Sequence, residues 1–172
     1  MSNKASYDPQ EWALLLRSPS MAGVAVTAAS PSGPIGIVKE MFAAGKVLAD
    51  VKLKGSGNEL ITALVADLQT AEGRSMGREG MQAEFGGVGP AEIKARAIEA
   101  LKRAAAIVDA KGSPQEAAEF KEWLRALSQK VAEAAKEGGF LGFGGVQVSG
   151  EEQSALNEIC QALGLPVAAG VA

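Results

Sequence analysis

Residues 90–110, PAEIKARAIEALKRAAAIVDA, repeat apolar side chains at the spacing of an α-helix. Proline suits the first position of a helix, where its missing N–H would have no helical partner in any case. Glu92 and Arg96 stand four residues apart, as do Glu99 and Arg103, so each pair can meet on the solvent side. The face predicted to point inward carries Ile93, Ala97, Leu101, Ala104 and Val108. The stretch therefore predicts one long amphipathic helix packed against a core.

Helix signals also dominate the first third of the chain. Residues 8–11, DPQE, combine an N-cap, a proline at the first helical position and a capping glutamate, which predicts a short helix through Arg17. We expect residues 18–20, SPS, to interrupt the helix, because proline lacks the N–H that a helix interior needs. A second helix of small residues is predicted over 21–29, and a third over about 34–52.

The middle of the chain predicts one clear helix and one weaker helix. Asn58 is a good N-cap for a helix over about 59–72, and Gly73 is expected to end it. A short helix is predicted over 75–85, although two glycines weaken it. Charged residues gather around this segment, and a solvated face is the simplest interpretation of Glu72, Arg74, Arg78, Glu79 and Glu84.

Two further helices complete the pattern. Ser113 caps a helix expected to stop at Gly138, and Ser149 caps a final helix that Gly164 terminates. No stretch has the length and alternation of a convincing strand. The predicted fold is an all-α, single-domain bundle of about six or seven helices with no significant sheet. We expect a flexible N-terminal arm over 1–7, a helical domain over 8–165 and a flexible C-terminal tail over 166–172.

Composition excludes several kinds of chemistry. The 172 residues include no histidine and one cysteine, Cys160, so neither a Ser–His–Asp triad nor a histidine or thiolate zinc site can form. Lys and Arg total 17 against 20 Asp and Glu, with no basic stripe, which argues against nucleic acid as a partner. No segment predicts a transmembrane helix or a signal peptide, and we expect a cytoplasmic protein.

A glycine-rich run over 138–148 is the most unusual segment. Its apolar side chains, Phe140, Leu141 and Phe143, would each cost roughly 1.5–3 kcal/mol to leave in water. The simpler interpretation is a tight loop that folds back and closes the end of the bundle. The functional alternatives are a loop that docks a protein partner or a lipid, and a small-ligand site beneath it.

Carboxylates flank this run on both sides. Glu137 precedes it, and Glu151 and Glu152 follow it, so the three could supply oxygen ligands to calcium or magnesium. Glu151 and Glu152 also fall in the first turn of the predicted last helix, where acidic side chains favour the helix dipole. Capping therefore explains this pair without a metal.

The last third of the chain resembles the helix–loop–helix unit of tellurite-resistance TerB-like proteins. The resemblance rests on KVAEAAKEGG at 130–139 and VSGEEQSALNEICQALGL at 148–165. The matching positions are Val148, Ser149, Glu152, Leu156, Ile159, Leu163, Gly164 and Leu165. The resemblance implies an all-helical fold, a role in stress responses and metal binding. The chain departs from the family pattern at 136–138, KEG, where an acidic loop is expected.

Taken together, these patterns predict a non-enzymatic helical domain that works by protein–protein contact, with a stress-related role implied by the resemblance. The partner would be another protein or a second copy of the chain, and no cofactor is expected. The alternatives are a divalent-cation-binding regulatory protein and a carrier of a small ligand or lipid.

Overall fold

The computed structural model describes residues 2–29, 57–136 and 150–167, with the backbone alone described at 90, 91, 135 and 136. These residues form six α-helices and one 3₁₀ helix, and no strand occurs among them, so the all-α prediction is confirmed. The 3₁₀ helix, Lys4–Ser6, is followed by α1 (Pro9–Thr27), α2 (Glu59–Asp67), α3 (Ala71–Phe85), α4 (Pro90–Lys111), α5 (Pro114–Lys136) and α6 (Gly150–Ala162). The helix predicted over 34–52 lies outside the described residues.

Helix α1 is the centre of the bundle and contacts each of the other five helices. Its fully buried side chains include Trp12, Leu15, Leu16 and Met21. A helix that is apolar on most of its circumference is stable only when neighbours surround it. Helix α4 packs its predicted apolar face against these side chains of α1. Leu101, Ala104 and Val108 on that face are buried. None of the described helices has the length and apolar character needed to cross a membrane.

The predicted interruption at residues 18–20 was wrong, because α1 continues through Pro19. Proline cannot donate to the carbonyl of Leu15, one turn earlier. The hydroxyl of Ser18 donates to that carbonyl instead, at 2.7 Å, and Ser18 is fully buried. Burial of α1 on several sides offsets the remaining cost of an internal proline, about 3 kcal/mol.

The boundary between α2 and α3 also differs from the prediction. Helix α2 ends at Asp67, and Thr70 caps α3 by accepting a hydrogen bond from the N–H of Gly73 at 2.9 Å. Gly73 therefore lies in the first turn of α3 and does not terminate α2. A Cβ at this position would lie 2.1 Å from the carbonyl oxygen of Asp67. Glycine is therefore required at position 73, because the backbone of Asp67 lies too close for a Cβ.

Residues 2–7, expected to form an arm, pack on the bundle. The N–H and hydroxyl of Ser2 donate to the carboxylate of Glu116 on α5, at 2.8 and 2.6 Å. Tyr7 is buried, with its ring centroid 5.9 Å from that of Trp12. The indole of Trp12 in turn donates to Asp67 at 2.7 Å. The N-terminal segment thus closes one side of the core through specific polar contacts.

Several predicted caps are confirmed. Asp8 accepts from the backbone at the start of α1 and Glu11 reaches back to it, Asn58 caps α2, and Ser113 caps α5. At the end of α6, Gly164 has a φ of 68°, which only glycine adopts without strain. The N–H of Leu165 then reaches back to the carbonyl of Cys160 at 2.8 Å, as in a Schellman motif.

We expect Gly73→Ala to lower the free energy of unfolding by about 1–3 kcal/mol, the usual cost of forcing an atom into a packed site. Gly77→Ala on the same helix is the matched control, because a Cβ there meets no atom within 4 Å. Its expected effect is a stabilisation of about 0.5–1 kcal/mol. Chemical denaturation of both variants measures the difference. Equal stabilities would contradict the close approach at Gly73.

The Glu116 carboxylate predicts a pH dependence of stability. Burial raises its pKa, but hydrogen bonds from the hydroxyl and N–H of Ser2 outweigh that effect and hold the pKa below its ordinary 4.5. A carboxyl with a lower pKa in the folded state stabilises the fold above its unfolded pKa, and the contribution is lost as the pH falls through the folded pKa.

Glu116→Gln should therefore be less stable than the wild type by about 1–3 kcal/mol at pH 7. The gap should narrow as the pH drops below 4.5, the unfolded value. Urea denaturation at pH 7 and pH 3 tests this, with the exposed Glu99→Gln as control. A gap that stays constant with pH would show that the carboxylate is not the stabilising species.

Candidate functional site

Most of the predicted site residues fall outside the described part of the chain. Glu137, Phe140, Leu141 and Phe143 are among them, so the loop and its ligand or partner role stay predictions. Glu151 is exposed and Glu152 buried, both in the first turn of α6. Within residues 2–29, 57–136 and 150–167, no three acidic or cysteine side chains come together as metal ligands would.

Cys160 lies on α6 with 7% of its surface exposed. Burial raises the pKa of its thiol; Arg125 lowers it less, and Glu122 raises it further. A reactive cysteine needs a lowered pKa and access to its substrate. Cys160 has neither, and it packs as a small apolar residue.

The described residues form an open groove of about 820 Å³, bordered by α1, the α2–α3 turn and α3. We call it the α1–α3 groove. Residues 74, 77, 78, 81, 82 and 85 of α3 line it, and these positions lie on one face of the helix. Ligand sites in proteins commonly enclose 300–1,000 Å³, by the usual rough range. The groove thus has the size of a binding site.

Apolar side chains form its floor. Leu16 on α1 is completely buried, while Leu68, Met81 and Phe85 are half-buried and pack against the core at its edge. These three keep part of their surface in water. Burying that surface against a partner would favour binding by roughly 25 cal/mol per Å² of apolar area. A partner with apolar side chains would gain that free energy.

Three arginines border the same groove. Arg17 on α1 reaches Glu84 on α3 at 3.3 Å, and the guanidinium of Arg74 donates to the carbonyl of Gln69. Arg78 is exposed and makes no ion pair with the described residues. Guanidinium groups only donate hydrogen bonds and stay charged at neutral pH. The polar part of the groove therefore presents hydrogen-bond donors and positive charge.

The charges around Arg17 are unequal. Glu84 accepts from Arg17 and also from Arg103 on α4, at 3.2 Å, so two cations share one carboxylate. Burial lowers the pKa of Arg17 most; Glu84 raises it and Arg103 lowers it further. Its Nε is buried and has no hydrogen-bond partner among the described residues. This end of the groove carries excess positive charge.

A smaller hollow of about 440 Å³ lies on the other side of Arg17. It is lined by Asp8, Glu11 and Arg103 as well as Arg17. Asp8 and Glu11 already cap α1, and Glu11 also pairs with Lys111. The carboxylates of the hollow are therefore already paired within the protein. The α1–α3 groove is the stronger candidate for a binding site.

Sequence reasoning grouped Arg74, Arg78 and Glu84 as a solvated charged cluster but did not find the groove. The structure places them on α3, and the missing participant is Arg17, 67 residues before Glu84 in the chain. The available signal was local: Arg74, Arg78, Met81 and Phe85 recur at helical spacing. Nothing in the sequence indicates which helix lies opposite that face.

Glu84→Gln should lower the free energy of unfolding by about 1–3 kcal/mol, because it leaves the partly buried Arg17 without a counter-ion. Glu79→Gln is the control on the same helix, since Glu79 is exposed and accepts a hydrogen bond from the nearby Ser75. Urea denaturation measures both. If the two variants proved equally stable, the ion pair would contribute nothing to holding α1 against α3.

Comparison with known proteins adds no relative: no model of a protein family matches the chain, and no curated protein or solved structure is significantly similar to it.

Proposed function

We propose that this protein is a non-enzymatic interaction module that binds a protein partner in the α1–α3 groove. The observation that carries the proposal is the lining of the groove, in which three arginines border an apolar floor in about 820 Å³. Interfaces between proteins favour arginine and large apolar side chains of this kind.

The polar groups of the groove suit binding better than catalysis. Beside the arginines, the polar side-chain groups that the described residues bring to the lining are the hydroxyl of Ser20 and the amide of Gln82. A hydroxyl becomes a nucleophile when a base activates it, and a guanidinium cannot serve as that base at neutral pH. These groups can hold and orient a ligand.

The openness of the groove favours a macromolecular partner. It runs along α3 from Arg74 to Phe85, continues to Gly87 beyond the helix, and is not enclosed by the described residues. From Arg74 to Phe85 the helix advances about 16 Å, at 1.5 Å per residue. A segment of another protein can occupy such a length. The stress-related role implied by the resemblance to TerB-like proteins stays a prediction.

Site-specific photocrosslinking in the cells that express the protein tests the proposal. A photoreactive amino acid replaces Gln82 in the groove, and in a second strain it replaces the exposed Ala118 on α5. We expect a discrete adduct with a polypeptide, either another protein or a second copy, from position 82 and not from position 118.

Filling the groove should remove that adduct. Gly77→Leu places a side chain into the open space of the groove, where a Cβ meets no atom within 4 Å. Gly57→Leu is the matched control, because Gly57 is equally open but lies outside the groove. An adduct that survives Gly77→Leu, or the lack of any adduct from position 82, would contradict the proposed function.

A further inference from the structure

We infer that the α1–α3 groove selects an acidic, amphipathic segment of its partner, with carboxylates one helical turn apart and apolar side chains beyond them. This inference rests on the proposed function and specifies the chemistry of the partner. In this arrangement Arg74 and Arg78 bind the carboxylates, and Met81 and Phe85 contact the apolar side chains.

The charge of the groove is opposite to that of the whole chain. The protein carries a net charge of −3, yet the described residues that line the groove include three arginines and no acidic residue. Glu84 is shared between Arg17 and Arg103, and it does not line the groove. A local cationic surface on an acidic protein raises the encounter rate with anionic partners and repels cationic ones.

The order of side chains along α3 gives the order expected in the ligand. Arg74 and Arg78 stand four residues apart, about 6 Å along the helix, and Met81 and Phe85 continue the same face. Arginine pairs with carboxylates through two parallel hydrogen bonds, which fixes orientation as well as charge. A partner helix with two acidic residues followed by two apolar ones matches this sequence of groups.

Glycine leaves room for a backbone at the middle of the groove. Gly77 lies between the two arginines on the groove face, and no atom stands within 4 Å of where its Cβ would be. Glycine in a helix interior costs roughly 0.5–1 kcal/mol relative to alanine. The open space allows the partner backbone to approach α3 closely while the flanking arginines reach around it.

A protein segment fits these features better than a lipid surface. Helices that bind membranes place apolar side chains on a protruding face, so that they enter the bilayer. In this groove Leu16 is fully buried and the other apolar side chains are only half exposed, on a concave surface. Such a floor accepts side chains that project into it. Arg17, which already pairs with Glu84 at 3.3 Å, would gain a second anionic neighbour from the same ligand.

The test uses the full chain and two synthetic helical peptides, both alanine-based and capped at each end. One carries Glu at two positions four residues apart and Leu at the third and seventh positions after the second Glu. The other has Gln in place of Glu. Binding is followed by NMR of the ¹⁵N-labelled protein. We expect the Glu peptide to shift the amide of Gly77 and the Nε–H signals of Arg74 and Arg78, and to bind more weakly as salt increases.

Substitutions then locate the contact. Arg78→Gln should weaken binding of the Glu peptide by about tenfold, the loss expected for a hydrogen bond between charged groups. Arg78 is exposed, so the variant should keep its melting temperature. Arg125→Gln on α5, also exposed and paired with Glu122 at 2.6 Å, should leave the affinity unchanged.

Three results would overturn the inference: equal affinity for the Gln and Glu peptides, an equal loss in the Arg78 and Arg125 variants, or tighter binding to phosphatidylglycerol vesicles than to the Glu peptide. Its failure can be told apart from that of the proposed function. An adduct at position 82 whose crosslinked partner segment lacks acidic residues would refute the acidic ligand and keep the interaction module. Peptide binding without any cellular adduct would refute the interaction module and keep the preference of the groove for an acidic segment.

Discussion

The burial of α1 is the constraint on which the other elements depend. This helix contacts all five of the others, and its large apolar side chains, Trp12 and Leu15 among them, are almost completely removed from water. A helix of this composition has no stable solvent-facing side, so its neighbours must surround it. The same burial keeps the chain helical across Pro19, where the hydroxyl of Ser18 supplies the hydrogen bond that proline cannot.

Polar contacts between distant parts of the chain fix how these neighbours are arranged. Asp67 accepts from the indole of Trp12 and pairs with Lys4 at 3.0 Å, which joins α2 to α1 and to the N-terminal segment. Glu116 receives both donors of Ser2, while the amide of Asn58 donates to the carbonyl of Glu116 at 2.9 Å. Buried polar groups cost free energy unless they are paired, so each contact excludes arrangements that would leave it unmade.

The candidate site arises from the way α3 meets α1. A Cβ at Gly80 would lie 3.0 Å from the side chain of Arg17, so the glycine lets this arginine pass close to α3 and reach Glu84. One turn away, Gly77 faces open space between Arg74 and Arg78. Glycines that weaken α3 as an isolated helix thus create both its contact with α1 and the groove beside that contact.

Local interactions decided what the sequence could reveal by itself. The caps at Asp8, Asn58 and Ser113, the amphipathic face of α4 and the glycine after α6 depend on residues a few positions apart, so their patterns predict the helices directly. The absence of histidine likewise excludes whole classes of chemistry, because no fold can supply an imidazole that the chain lacks. These features establish an all-α bundle and the position of most helix ends.

Only the tertiary structure decided the continuity of α1, the role of Gly73 and the existence of the groove. Pro19 is tolerated because α1 is surrounded, and Gly73 is needed because the carbonyl of Asp67 lies against it. Arg17 and Glu84 are 67 residues apart, and no pattern in either segment shows that they meet. Their meeting depends on which helix faces which, and that is set by the packing of the whole core.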